Sequence, residues 1–183
     1  MFRRLIAALL VTVPASAAMG QVEDTGQWAV GAMANGCMMQ AVSPQGTMLS
    51  VWGVAGDDKL GFLLQNKGWN ALRDGASYDL KLDFLGVSSL PVEATARREI
   101  DSDGPGFYFQ LEPGGTSGKA FMDAFSTAQG MRISREGKSV DTLPLAGSKG
   151  AMSALARCLS ESWADGEAGE PVEATAEAAG VSI

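Results

Sequence analysis

Between residues 77 and 85 the chain alternates Tyr78, Leu80, Leu82 and Phe84 with Asp79, Lys81 and Asp83. A period of two puts the apolar set on one face of a strand and the polar set on the other, so this stretch predicts a half-buried β-strand. Looser versions of the pattern cover 27–33, 37–42, 47–55, 60–65, 92–100 and 107–111. In 47–55, Met48, Ser50, Trp52 and Val54 share a face, and Trp52, like Trp28, is expected in the core. Turn signals separate these stretches: Asn35-Gly36, Ser43-Pro44-Gln45-Gly46, Gly56-Asp57-Asp58 and the run from Asp101 to Gly106.

After residue 113 the period lengthens. Phe121, Ala124, Phe125 and Ala128 recur at helical spacing over 119–128, behind a glycine-rich loop that offers caps, and Gly130 stops the run. A hairpin around Glu136-Gly137-Lys138 follows. Ser148 is then expected to cap a second helix with Ala151, Leu155, Cys158 and Leu159 on one stripe. The predicted fold is mainly β (α+β). It is a twisted antiparallel sheet or partly closed β-barrel or sandwich of about eight short strands, with two short helices near the C-terminus. A single domain is expected over 24–161.

Both ends lie outside that pattern. Arg3 and Arg4 precede the apolar run Leu5 to Val13, Pro14 ends it, and Ala15, Ser16, Ala17 and Ala18 supply small residues. These are the three parts of a signal peptide, expected over 1–18, and they predict a periplasmic or secreted protein. The run is too short for the ~20 residues of a spanning helix, so no stable membrane insertion is expected after cleavage. At the other end, 162–183 is rich in Ala, Glu and Gly with no basic residue, and predicts a disordered acidic tail. The hexapeptide PVEATA occurs twice, at 91–96 and at 171–176; chance recurrence in an Ala- and Glu-rich chain is the preferred reading, and pairing of the tail where the first copy pairs is the sharper alternative.

The formal net charge is −7, and loss of Arg3 and Arg4 leaves 12 basic against 21 acidic residues. That balance repels nucleic acid, which is not expected as a partner. The two cysteines, Cys37 and Cys158, predict a disulfide in an exported chain. The chain has no histidine, which excludes Ser-His-Asp and Cys-His nucleophile systems and histidine-based metal sites.

What chemistry remains is sparse. Ser117 with Lys119 and Ser148 with Lys149 have the composition of Ser-Lys dyads, but at helix starts the serines are expected to cap and the lysines to face solvent. Asp57, Asp58, Asp79, Asp83, Asp101 and Asp103 could supply paired carboxylates for glycan cleavage. Met33, Met38, Met39 and Met48 offer thioethers that suit Cu(I), against the plainer role of methionine as a gap-filler in cores. Trp69, in a predicted loop, is either a partner anchor or a plug for one end of the sheet, and Trp163 opens the tail. No cofactor is expected.

The stretch Asp141 to Leu155 (DTLPLAGSKGAMSAL) resembles the closing strand and small-residue helix of the invasion-associated locus B family of small exported bacterial proteins. The resemblance implies a mostly β periplasmic domain with disulfides, and it carries over no catalytic residue. Two cysteines are fewer than that family usually has. The expected function is a non-catalytic accessory or interaction protein, such as an inhibitor, binding another envelope protein through Trp69 or the Asp101 and Asp103 turn. A carboxylate-dependent glycan-cleaving enzyme and a methionine-based Cu(I) carrier are the alternatives.

Overall fold

The computed structural model describes residues 23–24, 27–98 and 104–167. Ten strands form one sheet: β1 (Glu23–Asp24), β2 (Ala29–Met33), β3 (Gly36–Val42), β4 (Met48–Val54), β5 (Leu60–Gln65), β6 (Ser77–Phe84), β7 (Ser88–Arg97), β8 (Gly106–Leu111), β9 (Gly130–Arg135) and β10 (Lys138–Pro144). Among the described residues two helices complete the fold: α1 (Thr116–Thr127) and α2 (Ser148–Glu167). The strand order is β1-β2-β3-β4-β5-β8-β7-β6-β9-β10, and every neighbouring pair is antiparallel. The sheet curls into a half-barrel with the helices on its inner side.

The mainly β expectation therefore holds, and each stretch with a period of two is a strand. Two elements extend beyond their expected bounds at one end. β7 begins at Ser88, because Pro91 is tolerated where no partner strand needs its N–H. α2 continues to Glu167 instead of giving way to tail at 162. Ala and Glu favour helix there, and the Ser162 hydroxyl donates to the Cys158 carbonyl at 3.0 Å within the helix. Residues 168–183, the rest of the expected tail, lie outside the described residues, as does the expected signal segment 1–18.

The inner face forms the core. Cys37, Met39 and Ala41 of β3, Leu49 and Val51 of β4, and Phe62 and Leu64 of β5 are buried. So are Leu80, Leu82 and Phe84 of β6, as their alternation predicts. Phe121 of α1 is the hub of an aromatic stack, with ring centroids 4.7 Å from Phe62, 5.4 Å from Phe84 and 5.2 Å from Phe125. Phe125 meets Trp28 edge-on at 5.3 Å. Burial of each such side chain is worth roughly 1.5–3 kcal/mol. Leu159 of α2 packs so closely on Gly53 that a Cβ there would lie 2.8 Å from its Cδ1.

β1 and β10 are the two edges of the sheet and are not hydrogen-bonded neighbours, so other groups close the curl. The Ser43 hydroxyl, just past β3, donates to Asp141 Oδ2 of β10 at 2.8 Å, with both residues buried. The same hydroxyl accepts the N–H groups of Gln45 and Thr47, which fixes it in its turn. Trp28 Nε1 donates to the Ala146 carbonyl at 3.1 Å. Ser148 Oγ donates to the Phe125 carbonyl at 2.6 Å, so this serine ties α2 to α1 instead of capping its own helix with an acceptor.

A covalent bond completes the closure. Cys37 and Cys158 form a disulfide with Cα atoms 6.0 Å apart across a sequence separation of 121. In the chain-entropy account a loop of that length is worth about 4–5 kcal/mol. Replacing both cysteines by serine is expected to lower stability by about 2–5 kcal/mol. Denaturant unfolding of oxidised wild type against the double variant checks this, and equal midpoints would contradict it.

Candidate functional site: the outer sheet face

Alternation along β3 sends Cys37, Met39 and Ala41 inward and Met38, Gln40 and Val42 outward. On β4 it sends Leu49 and Val51 inward and Met48, Ser50 and Trp52 outward. The registers align these outward residues in rows. Met38 lies beside Trp52 and Trp52 beside Gly61, Gln40 beside Ser50, then Leu63 and Tyr108, and Val42 beside Met48. An outer face in contact with water would be mostly polar. Here Met38, Val42, Met48, Trp52 and Tyr108 dominate it around the buried Leu63 and Ser50, and Gln40 is tied to Ser50 by a 2.9 Å bond from Nε2 to Oγ.

The aromatic part of this face is shaped by a glycine. A Cβ on Gly61 would lie 2.4–2.8 Å from atoms of the Trp52 indole, so the indole lies across the β5 backbone where a side chain would stand. Its ring stacks on Tyr108 with centroids 5.8 Å apart and planes 20° from parallel. Burial pushes the Tyr108 hydroxyl above the ordinary tyrosine range; the Asp57 carboxylate adds to that, and Arg97 opposes it. Trp52 and Tyr108 are half-buried, while Val42 is 59% exposed.

The face runs into a shallow groove of about 680 Å³ beside the seam where β10 approaches β2 and β3. Ala29, Val42, Pro44, Met48 and Pro144 give it an apolar lining. β10 is the sheet edge here, and Pro144 has no N–H to offer a further strand.

The residues singled out from sequence are scattered. Trp69 is half-buried and packs its ring on Phe107 at 5.2 Å, which is the plug arrangement. Asp101, Asp103 and the Trp163 side chain lie outside the described residues. Asp57 and Asp58 are exposed in a turn, where Asp57 Oδ1 accepts the Lys59 N–H. Asp83 pairs with Lys81 at 2.7 Å on the outer side of β6. Lys119 pairs with Asp123 on the surface of α1, and Gly115, not Ser117, is the N-cap there. Lys149 is exposed.

The structure does not bring the four methionines together. Met38 and Met39 point to opposite faces of β3. Met33 pairs with Gly36 at one end of β3 and Met48 with Val42 at the other, six residues or ~20 Å apart along the strand. Among the described residues no group of three His, Cys, Asp or Glu side chains is arranged to hold a metal ion.

Trp52 is where the sequence reading and the structure part. It was expected in the core, yet the buried side of β4 belongs to Leu49, Val51 and Gly53. The signal was Gly61, the small residue opposite a large aromatic on a paired strand. No family model, curated protein or solved structure matches this chain.

Gly61→Val is expected to lift the indole off β5. Tryptophan emission and the near-ultraviolet circular dichroism of the Trp52–Tyr108 pair should change, with a stability loss of about 1–3 kcal/mol. Spectra identical to wild type would contradict the described packing.

Proposed function

We propose that this chain is an exported protein of the bacterial envelope that acts without catalysis, by binding another protein on the outer face of its sheet. The observation that carries this reading is the apolar outer face itself, formed by Met38, Val42, Met48, Trp52 and Tyr108. Val42 is exposed and the other four are half-buried, so the face is partly open to water. Apolar surface left open in this way marks interaction sites, and tryptophan, tyrosine and methionine are enriched in interfaces. The neighbouring groove gives a partner relief to fit, and the aromatic pair gives it an anchor.

Export is supported by the composition of residues 1–18 and by the Cys37–Cys158 disulfide, a bond that persists in oxidising compartments. No helix among the described residues is long and apolar enough to cross a membrane. The likeness of Asp141–Leu155 to invasion-associated locus B proteins points to the same compartment.

Affinity capture with the purified domain from envelope extract tests the proposal. One stoichiometric protein partner is expected. Trp52→Ala and Val42→Glu should each weaken its retention, the tryptophan change by about 2 kcal/mol. Capture of no protein, together with turnover of peptidoglycan fragments by the domain, would overturn the reading.

A further inference from the structure

The outer face offers hydrogen-bond donors in an uncharged setting. The Trp52 indole N–H and the Tyr108 hydroxyl bond to no group among the described residues, and both residues are half-buried. Their rings lie 20° from parallel with centroids 5.8 Å apart. Along β4 the strip runs from Trp52 past Ser50 to Met48, four residues or about 13 Å, and there it meets the groove lined by Val42, Pro44 and Pro144. No Asp, Glu, Lys or Arg lines that groove. In a chain with 14 basic and 21 acidic residues, an uncharged stretch of this length selects an uncharged occupant.

The seam beside the groove decides the form of that occupant. Leu145 donates its N–H to the Gln129 carbonyl at 3.0 Å, on the β9 side. Main-chain directions alternate along a strand, so Leu143 and Asp141 also face β9, while Pro144 and Thr142 face outward. Pro144 has no N–H. The Thr142 N–H is held by Asp141 Oδ1 at 2.6 Å, and the other oxygen of that carboxylate takes the Ser43 hydroxyl. At both outward positions β10 therefore withholds the donor that an added strand would need. A helix, about 10–12 Å across with its side chains, needs a trough wider than this shallow groove. What fits is an extended segment held through side chains.

From the aromatic pair, its two unpartnered donors, the absence of charge and the guarded edge, we infer that the partner presents a proline-rich segment in the polyproline II form. Its rings pack on Trp52 and Tyr108, and its carbonyls accept the indole N–H and the phenol O–H. Proline brings no N–H of its own, so the segment buries no donor that this face would leave unsatisfied. At about 3.1 Å per residue, four to five residues reach from Trp52 to the groove. The inference rests on the binding proposal and narrows it to one kind of ligand.

Calorimetric titration of the mature protein with a decamer of proline, beside a glycine-serine decamer of equal length, tests this. The proline decamer is expected to bind at least tenfold more tightly. Trp52→Ala should weaken it by about thirtyfold. Tyr108→Phe, which keeps the ring and removes only the hydroxyl, should weaken it by about threefold to tenfold. Equal affinity for the two peptides, or binding of neither, would overturn the inference. So would proline-decamer binding that both substitutions leave unchanged, since the site would then lie elsewhere. A protein captured from envelope extract that needs Trp52 yet is not displaced by the proline decamer would also overturn it, while leaving the binding proposal intact.

Discussion

A curled antiparallel sheet whose edge strands do not pair has no main-chain bond to hold its curl. Here that closure falls to Cys37–Cys158, which fastens the first long hairpin to the last helix, and to the buried contact from Ser43 to Asp141. Both link residues about a hundred or more positions apart, so each constrains nearly the whole chain. Between them α1 and α2 are pressed onto the inner face, and the Phe121 stack has something to pack against. Without closure the inner face would be a broad apolar surface open to water, at a cost the helices alone could not offset.

Closure settles the inner face and leaves the outer one without a structural duty. Leu49 and Val51 complete the core of β4. Met48 and Trp52, one residue away on the same strand, add little to it. An exposed valine at position 42 and an indole spread over Gly61 are expensive choices for a surface whose only task is to face water. They are economical for a surface that is covered part of the time, and this is the physical content of the binding proposal.

The alternation in 77–85 was enough to place Leu80, Leu82 and Phe84 inside, because that strand has one wet face and one dry one. β4 and β5 defeated the same logic. Both of their faces carry apolar residues, so a period of two distinguishes the faces without saying which is inward. Ser148 looked like a cap because it opens a helix, but its hydroxyl is taken by a carbonyl 23 residues earlier, a contact no local pattern encodes. The disulfide was legible from the cysteine count and the expected export alone. The Ser43–Asp141 contact was not, since an aspartate inside a strand and a serine inside a turn each have a plain local explanation.

The central claim is that the two faces of β3 and β4 differ in purpose. Val42 and Val51 sit on neighbouring strands and point to opposite sides. Equilibrium unfolding of Val42→Thr and Val51→Thr applies the same chemical change to each face. The account predicts a shift within about 0.5 kcal/mol for Val42→Thr, and a loss of about 1–3 kcal/mol for Val51→Thr, whose hydroxyl would be buried. Equal losses at the two positions would contradict it.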